Sequence, residues 1–270
     1  MADAPASTEV RTTPGTRLGS FGLFMEAAGP ILFLIAGFLW GLGTDDAGFF
    51  GVTAAIALVG AFVARRPGTV TKIIAMVLAL LTAGALFWTA FGIAVPTSFF
   101  EFIPGLLVVP GFIIAIIGCV GALRKKSADP ATRDARDGRF IRTATTVLAA
   151  LAVISGVLTF VSKDKVSSSE ADEATATVVL SDFEYDKASY DFQSGGKVLV
   201  RNDDPFTHTF TIEALDIDIT MSPGSETLVN IPEETGAYVV FCRPHSGDPK
   251  DLQDPDNINP DDMAAKVEIN

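Results

Sequence analysis

The chain has 270 residues, with 49% hydrophobic side chains but only 19% charged ones. Its mean hydropathy is +0.38, and the charged fraction lies below the roughly 25% usual in soluble domains, so a membrane-embedded part is expected. The net charge of −12 is uneven: residues 1–163 carry 13 basic and 9 acidic side chains, residues 164–270 carry 7 and 23, which leaves the last part at −16. That asymmetry points to two compartments or surfaces and excludes nucleic-acid binding, which rests on Lys and Arg.

Residues 1–20 are polar, too long before an apolar run for a signal peptide, and are expected as a cytoplasmic tail. Five apolar runs of span length then follow, at about Phe21–Leu42, Ala47–Ala64, Ile73–Val95, Phe102–Leu123 and Ile141–Val161. Together they make residues 21–161 an α-helical transmembrane bundle. Arg11 and Arg17 precede the first run; Arg65, Arg66 and Lys72 follow the second; Arg124, Lys125, Lys126, Arg133, Arg136, Arg139 and Arg142 follow the fourth. The loops near Thr44-Asp45-Asp46 and Pro96–Glu101 contain neither Lys nor Arg. Basic residues stay on the cytoplasmic side, so the reading is a multi-pass protein of the cytoplasmic membrane, N-terminus inside and C-terminal domain outside. Trp40 and Trp88 fall near the outer ends of their spans. Neither histidine lies in the bundle, which excludes a bis-histidine haem there. Glu26, about one turn into the first span, is an intramembrane functional carboxylate, a side chain that reaches back to the interface, or a residue that precedes the true span. Without polar groups near the midplane, the bundle reads as an anchor or docking scaffold.

Residues 162–174, SKDKVSSSEADEA, are polar and Ser-rich and read as a flexible linker of order 20 Å in reach. From residue 175 the period changes to two. TATVVL, KVLVRN, HTFTIEA, DIDITM, ETLVNI, AYVVFC and KVEIN alternate with SGG, NDDP, SPG and PEETG. Seven or so short strands argue for an extracytoplasmic all-β Greek-key sandwich over 175–270.

The sparse side chains carry the chemistry. His208 opens a strand, Cys242 ends another, His245 follows at C-x-P-H, and Met263 precedes the last strand. One thiolate, two imidazoles and a weak thioether are the ligand set of trigonal blue copper. Cys119 lies far away in an apolar run, so no disulfide framework is expected. An acidic cluster at Asp248, Asp251, Asp254, Asp256, Asp261 and Asp262 lacks the order of a calcium loop and reads as a solvated loop.

The segments NDDPFTHTF, YVVFCRPHSG and DMAAKVEI resemble the plastocyanin and azurin-type cupredoxins; the bundle resembles no family we recognise. The resemblance implies a cupredoxin-like fold and one mononuclear Cu(II)/Cu(I) site with His208, Cys242, His245 and Met263 as ligands. It also implies that Asn202 braces the ligand loops and that His245 is the surface electron port. Here 17 residues separate His245 from Met263, against only a few in the family, which leaves Met221, three-coordination or an oxygen donor open at the axial position. The expected function is one-electron transfer at the outer membrane face, without enzymatic activity. The expected partner is a redox protein or respiratory complex with a cationic docking face. A copper module for delivery, storage or sensing, and a metal-free interaction module, are the alternatives.

Overall fold

The computed structural model describes residues 16–40, 47–124, 130–247, 252, 254–259 and 262–270. Arg11, the loop at 44–46, Lys125, Lys126, Asp248, Asp251 and Asp261 therefore lie outside the described residues, as does the side chain of Trp40. Five long helices come first: α1 (Arg17–Trp40), α2 (Ala47–Arg65), α3 (Thr69–Ala85), α4 (Phe99–Leu123) and α5 (Pro130–Val161). A short helix, α6 (Ser168–Ala171), precedes the strands.

Among the described residues, four helices are long and apolar enough to cross a membrane: α1, α2, α4 and α5. The expected third span is different in kind. It is α3 followed by a 3₁₀ segment, Phe87–Ala94, bent by 60° at the junction, and counts as a fifth span only if the pair is taken together. Large apolar side chains stay exposed along the helices, Phe38 at 88% and Phe160 at 76%. In water such a surface would drive association; the length and composition of these helices suit a membrane.

The chain divides into two units. The first holds the described residues of 1–34, 46–90 and 104–149, the second those of 35–45, 91–103 and 150–270. In the first unit, small residues let the helices meet: Ala61 and Ala64 of α2, Ala75 and Ala79 of α3, and Ala115 and Cys119 of α4 surround Leu23. Gly22 and Gly111 are required at the α1–α4 contact, because a Cβ at Gly22 would collide with the backbone of Gly111 and Ala115.

Among its described residues, the second unit contains a sandwich of nine strands: β1 (Ala176–Ser181), β2 (Glu184–Tyr185), β3 (Ser189–Phe192), β4 (Lys197–Asn202), β5 (His208–Ile212), β6 (Ile217–Met221), β7 (Glu226–Asn230), β8 (Gly236–Phe241) and β9 (Ala264–Ile269). One sheet has the order β2-β1-β4-β7, the other β3-β9-β8-β5-β6. Alternate residues of each strand point inward, as the period of two requires. Val178, Leu180, Val198, Val200, Phe192, Phe210, Ile212, Val240 and Val267 fill the core.

The segment expected as a linker makes defined contacts in this unit. The Glu226 amide donates to the Asp164 carbonyl at 2.8 Å, Lys165 pairs with Glu226 at 2.7 Å, and Ser167 caps α6 with Glu170 completing the capping box.

Candidate metal centre

Three neighbouring strands bring the centre together. β8 is antiparallel to both β5 and β9, so the start of β5, the end of β8 and the start of β9 share one end of the sheet. His208 is the first residue of β5, Cys242 follows β8, and Met263 precedes β9. The turn after Cys242 folds back, with the amides of His245 and Ser246 donating to the Cys242 carbonyl at 3.1 and 3.0 Å. That turn carries His245 inward.

The donor atoms form a small triangle. His208 Nδ1 and His245 Nδ1 are 3.1 Å apart, and Cys242 Sγ lies 3.6 Å from the first and 3.3 Å from the second. A triangle with such edges has its centre about 1.9 Å from each corner, so the three donors converge on one point at close to the reach of imidazole and thiolate toward a metal. His208 and Cys242 are fully buried, while His245 is half-buried.

Residues around the triangle hold it in place. Asn202, fully buried at the end of β4, donates through Nδ2 to the carbonyls of Phe206, Met221 and Ser222 at 2.8, 2.9 and 3.2 Å. Its Oδ1 accepts from the Asp204 amide at 2.9 Å. Asn202 thus locks the turn that delivers His208 to β6, as the resemblance implied. Asp204 Oδ2 meets His208 Nε2 at 2.7 Å, which leaves Nδ1 as the inward-facing, metal-binding nitrogen. Two further amides, of Asp182 and Phe183, donate to Asp204 at 2.8 and 3.1 Å. The Phe183 ring stands edge-on to both imidazoles, with centroids 5.6 and 4.9 Å away. The Thr209 amide points at Cys242 Sγ from 3.3 Å, a donor suited to a thiolate.

Residues 150–250 match the family model of the cupredoxin-like domain. The C-terminal β domain is a cupredoxin-like domain. Among solved structures, a Cu(I) form of an amicyanin mutant is 21% identical, with 40% of this chain and 94% of that chain covered and a TM-score of 0.29. An oxidized amicyanin mutant is 17% identical, with 40% and 92% covered and a TM-score of 0.29. No curated protein matches the chain. Cupredoxins are copper proteins, and His208, Cys242 and His245 form a site that can hold one copper ion. The family match begins in α5 and ends before Met263.

Met263 sits in the cupredoxin core, 2% exposed, in the same cluster of buried residues as Met221. Its backbone is pinned at the site: the Met263 carbonyl accepts from the Cys242 amide and the Ser246 hydroxyl, both at 2.9 Å. Met221 pairs with His208 across β5 and β6. The long segment between His245 and Met263 is anchored where it is described, since Leu252 is buried against Val239 and Phe241 and Asp256 pairs with Lys266 at 3.0 Å.

Three contributors were not legible in the sequence: Asp204, Phe183 and Glu101. Glu101, in the first turn of α4 and in the same unit as the cupredoxin domain, accepts the Thr207 amide at 2.8 Å. The Ser98 hydroxyl donates to the Pro205 carbonyl at 3.4 Å. The only signal was an acidic residue in a loop without basic ones.

Burial sets the protonation states of the cupredoxin site. It raises the Cys242 thiol to about 11, with the Thr209 and His245 hydrogen bonds opposing and the Glu101 charge adding to the rise. It lowers His245 to about 4, reinforced by His208 and opposed by Asp204. Burial alone would raise Asp204, but His208 and the amides of Phe183 and Asp182 outweigh it, and the carboxyl is held below its ordinary value. The metal-free protein at neutral pH therefore has a neutral thiol and a neutral His245. A metal needs the thiolate, so binding expels one proton from Cys242. Affinity is expected to rise about tenfold per pH unit through the neutral range, and more steeply below about 4, where His245 must also lose a proton. Calorimetry in buffers of different ionisation enthalpy should count close to one proton released at pH 7; a count of zero would contradict the buried neutral thiol.

Proposed function

We propose that this protein is a membrane-anchored type 1 copper protein that carries single electrons at the outer face of the cytoplasmic membrane. The observation that carries the reading is the triangle of His208 Nδ1, His245 Nδ1 and Cys242 Sγ, already within bonding range of one centre. Copper held there supplies a Cu(II)/Cu(I) couple. Around it the chain excludes water by burying His208 and Cys242, orients His208 through Asp204, and offers the Thr209 amide to the sulfur. Met263 would supply the fourth donor in this reading, supported by its carbonyl, which accepts from the Cys242 amide and the Ser246 hydroxyl. His245, the half-buried ligand, is the electron port.

The apolar helices anchor the chain as a multi-pass protein with its N-terminus inside. The basic loops support this orientation. The partner is a redox protein or respiratory complex whose docking face is cationic, complementary to the −16 charge of residues 164–270. No enzymatic activity is assigned, since both histidines belong to the metal site.

The test is the visible and EPR spectrum of the full chain loaded with Cu(II) and titrated with reductant. An intense thiolate-to-copper band with narrow hyperfine splitting, bleached and restored reversibly, is the expected result. A pale spectrum with wide splitting and rapid Cu(I) exchange would replace the carrier with a copper delivery, storage or sensing module. No stoichiometric copper would leave a metal-free interaction domain.

A further inference from the structure

The first unit holds a carboxyl group that the metal centre does not use. Glu26 lies nine residues beyond the start of α1, about 14 Å along a helix rising 1.5 Å per residue, within the apolar stretch Arg17–Leu39 that is long enough to cross a membrane. It does not reach back to the interface: the residue is 0% exposed, and among the described residues neither Oε1 nor Oε2 has a hydrogen-bond partner.

Prolines free one backbone carbonyl on each of the two helices that meet near it. Pro30 lacks the N–H that would bond the carbonyl of Glu26, four residues earlier, and Pro110 in α4 likewise leaves the carbonyl of Leu106 without its helical donor. The two helices nearly touch here, with a Cβ built on Gly111 falling 2.8 Å from the Gly22 carbonyl and 3.0 Å from the Glu26 nitrogen and Met25 Cβ. Three cations of this unit are engaged elsewhere: Arg65 donates to Ser20 at 2.9 Å, Arg17 pairs with Asp134 at 3.7 Å, and Lys72 donates to the Arg66 carbonyl. Cys119, the titratable residue of α4 in this contact region, lies in the Leu23 cluster.

An ionised carboxylate cannot rest in such a place unpaired. A metal cation would need six or more oxygens and room for them, and two helices in backbone contact provide neither. A proton needs one oxygen and no space. We propose that Glu26 is a proton-binding site within the membrane domain, taking up and releasing a proton between α1 and α4. This inference is independent of the copper reading.

The experiment is infrared spectroscopy of the full chain in lipid nanodiscs, labelled with carbonyl-¹³C glutamate and titrated with pH. The expected result is a protonated-carboxyl C=O band near neutral pH that shifts in D₂O, is lost reversibly at high pH, and is missing in Glu26→Gln. Glu26→Asp, which keeps an acid, should retain a displaced band. If both variants fail to fold, the labelled wild-type band decides alone. A band that persists unchanged to the highest pH at which the helices remain folded would make Glu26 a structural group and overturn the proposal. The absence of a band, or a carboxylate band that responds to Na⁺ or K⁺ instead of pH, would overturn it in favour of an ionised or cation-bound side chain.

Discussion

Cys242→Ser is expected to abolish the intense visible band and lower Cu(II) affinity by orders of magnitude while leaving the β sandwich folded. In the proposed site the thiolate would be the soft ligand and the source of the charge-transfer band; a serine hydroxyl is a hard, neutral donor that does not replace it. Two imidazoles 3.1 Å apart would remain, enough for a weak, pale copper complex. The fold should survive because serine is slightly smaller, and its hydroxyl inherits the Thr209 amide, which points at the sulfur from 3.3 Å. The stability change should stay within about 1–2 kcal/mol, the scale of one exchanged buried hydrogen bond. Visible absorption, EPR and thermal unfolding of the variant against wild type check both halves. An unchanged spectrum would remove Cys242 from the site, and unaltered cellular function of the variant would favour the metal-free interaction module.

Asn202→Ala is expected to have the largest effect on stability in the β domain. The side chain satisfies three carbonyls and one amide at once, fully buried. Alanine leaves those groups without their partner and water with no ready access. At about 1–3 kcal/mol for each buried group left unsatisfied, partly relieved by local shifts, the cost should be about 3–5 kcal/mol. For a domain near 100 residues that lowers Tm by more than about 12 °C. Copper binding should weaken as well, since the same turn delivers His208. Asn202→Asp should fare no better, because a carboxylate would face the carbonyls of Phe206, Met221 and Ser222. Thermal unfolding followed at the copper band checks the prediction; a Tm within about 2 °C of wild type would show that the turn holds without its brace.

The three residues that the structure brings together, His208, Cys242 and His245, could be picked out in the sequence because the chain contains only two histidines, and the strand pattern left His208 opening one strand, Cys242 ending another and His245 in the turn that follows. A period of two survives without tertiary information, so the seven longer strands were found. β2 and β3, two and four residues long, are too short to show a period. The bend after α3 was hidden because Ile73–Val95 is uniformly apolar, and hydropathy cannot tell a straight span from α3 followed by a 3₁₀ segment. Asp204 was one acid among 23 in its half; only the fold turns it toward His208. Phe183 was equally obscure, since its backbone sits in the left-handed region at φ 61°, which its sequence neighbours do not announce. The linker looked flexible by composition, yet Ser167 and Glu170 cap a helical turn and Lys165 meets a strand 61 residues later.

The bond between Glu101 and the Thr207 amide spans 106 residues, and this separation imposes an order on biosynthesis. A chain is made from its N-terminus, so α4 has emerged, and on the membrane reading is inserted, before the strands of the β domain exist. The carboxylate acceptor is in place first, and the loop that carries His208 closes onto it afterwards. A ribosome that stalls after the helices leaves a finished anchor with a vacant acceptor, whereas a β domain made without α4 would have to close its ligand loop with that amide unanswered.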